Sequence, residues 1–296
     1  MKFRTDLALE RHEFITEEDK EGLSFDSYET SGMKISKITV KSEGAAKKLS
    51  KPCGKYITME IPFLKDSADL CDEAVEIFAK EISSLITPEG TVLVAGLGNR
   101  DITPEALGPE CIERLLATRH ITPEVAKAIG FSSLRSVAGI IPGVLGNTGI
   151  ETAELLSGVV YKVRPSVLVV IDALAARNVE RLGTTVQMCD TGVSPGAGVG
   201  NRRSTVDEKS MGVPVIAIGV PTVVDAVTMT LDLIDKTGIK IDKNIRESSI
   251  KTERGMMVTP KEIDSVISRS AAFIAAGLNK AFQPHISVAD ILAIMA

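Results

Sequence analysis

Two carboxylates stand where hydrolytic chemistry is easiest to build. Asp172 follows the apolar run VLVVI directly, so its backbone is expected to lie in buried strand. A carboxylate there is costly unless it is paired or put to use. Capping a following helix or binding backbone amides would also account for it, and both readings stand. Glu105 lies in TPEALGP, in the first turn of an expected helix, where the dipole and free amides favour a negative charge. That structural role alone would suffice for a lone Glu. If the two side chains faced each other within about 4–6 Å, one of them would hold a proton near neutral pH. Such a pair can activate water and protonate a departing amine. Asn99, Asp101 and Asp190 also follow apolar runs and are supporting candidates for polarising or shaping the same pocket.

Other chemistries find less support. No Ser–His or Cys–His pairing is evident. The three histidines (His12, His120, His285) lie far apart without an HExxH motif, so a His-rich metal site is not expected. Cys53, Cys71, Cys111 and Cys189 are widely spaced with no CxxC pair and read as reduced thiols. The GLGN turn (96–99) lacks the third glycine of a dinucleotide fingerprint, because Asp101 stands there. A nucleotide- or phosphate-binding module built on GLGN and on SPGAGVGNRR (194–203), with Arg202 and Arg203 as grips, is therefore a second class of function. It predicts nucleotide-dependent thermal stabilisation.

These residues need strand ends to hold them. TVLVAGLGN (91–99), SVAGIIPGV (136–144), SVLVVIDAL (166–174), TTVQMCD (184–190) and PVIAIGVP (214–221) read as strands, the fourth as an edge. Residues 66–86, 104–119, 149–162, 222–236 and 260–282 read as helices, the first capped by Asp66 or Ser67 and the second opened by Thr103 and Pro104. Alternation of the two implies a three-layer α/β fold, phosphorylase/hydrolase-like. A mostly parallel central sheet would carry helices on both faces. In such sheets ligands bind beyond the carboxyl ends of the strands. Residues 1–32 are polar and read as mobile. Alternation in MKISKITV and KYITMEI makes 32–62 a small N-terminal β extension, its strands separated by a basic turn. Residues 191–204 and 238–256 read as flexible loops.

At 296 residues, with 44% apolar and 25% charged, the chain can bury roughly three quarters of its unfolded surface without a metal or disulfide. A formal net charge of −5 argues against direct nucleic-acid binding. Aromatics at 4% with no Trp leave little for base stacking. No apolar run reaches the ~18–20 residues of a membrane span. The start MKFRTDLALERHEF is charged where an export signal needs apolar residues. A cytoplasmic protein with no membrane partner is expected.

Several stretches together resemble the germination protease family of endospore-forming bacteria. They are RTDLALE (4–10), GLGN (96–99), TPEALGP (103–109), TRH (118–120), IPGVLGNTGIET (141–152), IDALAAR (171–177), SPGAGVGNRR (194–203), GVPVIAIGVPTVVDAV (212–227) and MVTPKEID (257–264). They run in order along nearly the whole chain. The resemblance implies an endopeptidase of the spore core that degrades small acid-soluble spore proteins, assembles as a homotetramer and needs no cofactor. Its fold is similar to that of hydrogenase-maturation proteases. It implies catalytic carboxylates at the positions of Glu105 and Asp172, in an atypical aspartic-type arrangement. Better-known members carry Asp where this chain has Glu105, a change of one methylene with the same acid–base chemistry. The family is made as a self-processing precursor. Carried over, the cut falls between Asp6 and Leu7, leaving residues 1–6 as propeptide and 7–296 as one protease domain. A metal-dependent hydrolase using the same carboxylates, as in the maturation proteases, is the alternative within the enzyme class.

Overall fold

In the computed structural model the described residues are 4–64, 70–87, 89–128, 130–131, 133–196, 204–238, 242 and 255–295. Their strands are β1 (Leu23–Thr30), β2 (Met33–Val40), β3 (Gly54–Glu60), β4 (Val92–Gly96), β5 (Val137–Ile140), β6 (Val167–Ala176), β7 (Thr185–Cys189), β8 (Val215–Asp225) and β9 (Met257–Val258). Among these residues they form one sheet in the order β1-β2-β3-β7-β8-β6-β4-β5, with β9 paired to β8.

The sheet has two halves. β8, β6, β4 and β5 run parallel. The apolar runs of β4, β6 and β8 are buried on both faces, as a helix-covered parallel sheet requires, while β5 is a partly exposed edge. β1, β2, β3 and β7 form an antiparallel half joined to it through the β7–β8 pair. The expected small β extension is thus continuous with the main sheet. β7 is not an edge: β3 pairs with it on one side and β8 on the other, and all five of its residues are buried. Its direction follows from chain length. Eight residues separate β6 from β7, whereas a return to parallel needs a dozen or more.

Helices cover both faces. Asp72–Ser83, Leu107–Glu113, Ile263–Phe282 and Val288–Met295 pack through Phe78, Cys111, Phe273 and Ile291 onto the face carrying Val167, Val169 and Ile171. Phe78 and Phe273 meet edge to face with ring centroids 5.4 Å apart. Ala8–His12, Glu43–Leu49 and Thr152–Val163 cover the opposite face, onto which Leu168 and Val170 project.

Several expectations are corrected. Residues 1–32 are not simply mobile. Leu7, Ala8 and Leu9 are buried, and β1 pairs with β2 over its full length. The polar look of β1 reflects an edge strand that is mostly exposed. A helix, Glu43–Leu49, replaces the expected basic turn between β2 and β3, with the Ser42 hydroxyl accepting from Ala45 N at 3.2 Å. The helix expected over 104–119 is a 3₁₀ turn, Thr103–Glu105, followed by Leu107–Glu113. The helix expected over 66–86 spans Asp72–Ser83, and Asp66 and Ser67 lie outside the described residues. β8 continues through GVPTVVD to Asp225, because Val223 and Val224 still pair with Ala175 and Ala176 and β9 adds a partner. In the 191–204 segment, residues 197–203 lie outside the described residues, and Val193 and Val206 bridge its ends. Most of 238–256 also lies outside them.

Candidate active site

Asp172 sits in β6, on the face shared by Leu168 and Val170, where the buried run first becomes half-buried. Its Oδ1 accepts from Ala173 N at 2.9 Å. Burial pushes its pKa from 3.8 up to about 7, the negative charges of Asp6 and then Glu105 add to the rise, and the Ala173 amide opposes it. A carboxyl in this state carries a proton part of the time at neutral pH, which suits acid–base work.

Glu105 closes the 3₁₀ turn after β4, and its side chain is exposed. The turn is tied down from two sides: Glu105 N donates to Ile102 O at 2.8 Å, and Thr222 of β8 donates its hydroxyl to Pro104 O at 2.8 Å. The GLGN glycines serve this packing. A Cβ on Gly98 would stand 2.0 Å from Glu105 O, and one on Gly96 would stand 2.2 Å from Gly108 O. Close backbone approach between strand end and helix start thus accounts for these glycines.

The third charge near Asp172 belongs to the chain's own N-terminal segment. Asp6 N donates to Ala175 O at 2.8 Å, and Ala175 N donates to Asp6 Oδ2 at 2.9 Å. This contact falls where the β6–β8 register shifts, between Leu174 and Ala175. Asp6 O accepts from Lys51 Nζ at 2.6 Å and from Gln187 Nε2 at 3.1 Å. The same Gln187 accepts from Ala8 N through Oε1 at 2.6 Å. Leu7 is fully buried and packs with Leu174, Ala176, Leu182 and Val224. Further along, the buried Glu10 carboxylate accepts from Arg177 N at 2.7 Å and Asn178 N at 2.9 Å, and pairs with Arg181 at 3.2 Å.

Gln187 and Asp172 pair with Gly219 of β8 from opposite sides, so their side chains rise from one row on one face. Their Cα atoms are about 10 Å apart, two strand spacings. The Asp6–Leu7 peptide is tied to β6 through Ala175 and to β7 through Gln187.

Other sequence candidates fall elsewhere. Asn99 Oδ1 accepts from Asp101 N at 3.0 Å, closing a short turn, and Asp101 is exposed. Asp190 does not join the group, because β7 runs antiparallel to β8 and its carboxyl end lies at the amino end of the parallel strands. Its Oδ1 accepts from Lys55 N at 2.7 Å, holding β3 against β7. Lys51 and Gln187 were not singled out by the sequence. Gln187 offered a signal as the lone amide within a buried apolar strand. Lys51 offered none among the lysines around it. None of the four cysteines is in a disulfide. Among the described residues no three His, Cys, Asp or Glu side chains gather as a metal site, and no helix is long and apolar enough to cross a membrane.

Comparison with known proteins supplies the family. A family model described as germination protease matches residues 4–254. A germination protease of Caldanaerobacter subterraneus subsp. tengcongensis is 42% identical, over 96% of this chain and 95% of that one. A germination protease of Clostridium tetani is 41% identical, over 98% of each, and one of Bacillus cereus is 36% identical, over 96% of this chain and 94% of that one. Among solved structures, the [NiFe] hydrogenase maturation protease HycI of Thermococcus kodakarensis aligns with a TM-score of 0.38 and 15% identity, over 69% of this chain and 99% of that one, a likeness too loose to bear on mechanism. A match across most of the chain, with relatives near 40% identity at almost full length, means that this protein belongs to the germination protease family.

Proposed function

We propose that this protease hydrolyses peptide bonds with Glu105 and Asp172 as an acid–base pair, and that its first substrate is its own Asp6–Leu7 bond. The observation that carries the reading is the Asp172 carboxyl, raised to about 7 by burial, by Asp6 and by Glu105. Asp172 is the member that carries the proton. Glu105, open to solvent, is the one that takes a proton from the attacking water.

The docked segment supports the choice of bond. An acidic residue before the cut is recognised by the Ala175 amide, which bonds Asp6 Oδ2. An apolar residue after it fills the pocket around Leu7, and the small Ala8 packs against the core. Glu10 and its Arg181 pair would keep residue 7 onward in place after residues 1–6 depart. The family's small acid-soluble spore proteins, cut at an acidic–apolar–small pattern, are the proposed substrate in trans, with action in the spore core and assembly as a homotetramer as parts of the same proposal. A metal-dependent route receives no support from the donor set among the described residues.

The test is cleavage of a small acid-soluble spore protein by wild type, Glu105→Gln and Asp172→Asn. Each substitution keeps the size and removes the titrating group. Loss of at least about 100-fold in each is expected for a general acid or base. Cleavage at the wild-type rate by either variant removes that residue from the mechanism.

A further inference from the structure

We infer that Lys51 and Gln187 form the oxyanion-binding site of this protease, holding the carbonyl oxygen of the bond that is cut. The inference deepens the proposed self-cleavage and rests on it.

The carbonyl oxygen of Asp6 is the atom on which charge would develop. In a chain that already brings Asp6 beside Asp172, this carbonyl takes two donors from separate elements, Lys51 Nζ at 2.6 Å and Gln187 Nε2 at 3.1 Å. An oxyanion site needs donors about 2.7–3.1 Å from the developing charge, fixed in advance and shielded from water. Gln187 meets the second condition by position: it projects from a strand paired on both sides. It is itself nearly buried, with 6% of its surface exposed. Its amide oxygen holds Ala8 N at 2.6 Å, so the amide orientation is set by the same peptide that it polarises. Lys51 supplies an amine donor from a separate element. Burial lowers its pKa, the Asp6 carboxylate and the Cys189 thiol act against that, and Arg11 adds to it. A protonated amine so placed gains strength as negative charge develops on the oxygen, which is the requirement for catalysis over mere binding.

Water gives one proton to Glu105 as its oxygen bonds to the Asp6 carbonyl carbon. The carbonyl π pair moves onto oxygen, where Lys51 and Gln187 hold it. When that pair returns, the bond to the Leu7 nitrogen breaks and the nitrogen takes the proton of Asp172. The proton on Glu105 then restores Asp172, and the new Asp6 carboxyl releases its proton to solvent. Among the described residues the Gln187 side chain bonds main-chain atoms, Asp6 O and Ala8 N, so it would serve any substrate of the same backbone course.

The experiment follows loss of residues 1–6 by intact mass in four full-length chains: wild type, Glu105→Gln, Lys51→Met and Gln187→Glu. Met keeps the length of the lysine stem without its charge. Glu keeps the acceptor for Ala8 and removes the donor to Asp6. Hydrogen exchange at Leu7 and Ala8 reports whether the segment is still docked. The expected result is self-cleavage in wild type, none in Glu105→Gln, and at least about 100-fold slowing in Lys51→Met and Gln187→Glu, with Leu7 and Ala8 still protected. If Lys51→Met loses that protection, Gln187→Glu decides alone. A docked Lys51→Met or Gln187→Glu chain that cuts at the wild-type rate overturns the inference and leaves the carboxylate reading intact. No cut at Asp6–Leu7 in wild type, or an undiminished cut in Glu105→Gln, overturns the carboxylate reading and the oxyanion site with it.

Discussion

Asp172→Asn should make the folded chain more stable, by a margin that opens above pH 3.8 and levels off above about 7. Below pH 3.8 the Asp172 carboxyl is protonated in both folded and unfolded chains. Between 3.8 and about 7 the folded chain still holds a proton that the unfolded chain has released. The unfolded state then binds fewer protons, so stability falls as pH rises through that window. The distance from 3.8 to about 7, at 1.36 kcal/mol per pH unit, comes to about 4 kcal/mol as a ceiling. Between pH 5 and pH 8 about 3 kcal/mol of that is open to measurement. Asparagine fills the same space and keeps an oxygen for the Ala173 amide, which bonds Asp172 Oδ1 at 2.9 Å, but it does not titrate. The assay is urea unfolding at pH 5, 6, 7 and 8 of two chains that both carry Glu105→Gln, so that residues 1–6 stay attached, one with Asp172 and one with Asp172→Asn, with residues 1–6 verified by mass. The stability difference should grow with pH in favour of the variant. Parallel stability curves for the two chains would mean that Asp172 is not held protonated, and the acid–base assignment would fall.

Three further outcomes follow from the packing. Glu10→Ala strands two backbone amides, Arg177 N and Asn178 N, that now bond the buried carboxylate. It should cost roughly 3–5 kcal/mol and free the N-terminal segment, read as faster hydrogen exchange over residues 5–13; unchanged exchange would show that the segment docks by other means. Gly96→Ala places a Cβ 2.2 Å from Gly108 O and should destabilise by about 1–3 kcal/mol or more, read by thermal unfolding; an unshifted midpoint would contradict the close-packing account of GLGN. Glu105→Asp shortens the side chain by one methylene at an exposed turn and should slow cleavage by no more than about 100-fold; a dead enzyme would show that the longer side chain is required.

The sequence was most legible where strand ends meet buried apolar runs. Asp172 could be picked out because VLVVI must be buried and a carboxylate there needs a reason. Glu105 was placed by its TPEALGP motif, although the helix expected around it resolves into a 3₁₀ turn and a shorter helix. Direction was harder to read. Nothing in TTVQMCD says which way β7 runs, and that direction alone removes Asp190 from the site and brings Gln187 into line with Asp172. The N-terminal segment was misread because its burial depends on partners far along the chain. Glu10 is tied to the end of β6, and Asp6 to Ala175 and Lys51, contacts that no local periodicity reveals. Lys51 became visible only through the oxygen that it holds.

The central claim, that two carboxylates distant in sequence cut a bond held beside them, is tested most directly by the intact mass of three purified chains incubated side by side. Wild type should lose Met1 through Asp6, while Glu105→Gln and Asp172→Asn should both retain them. Loss of the same six residues from either variant at the wild-type rate would contradict the account.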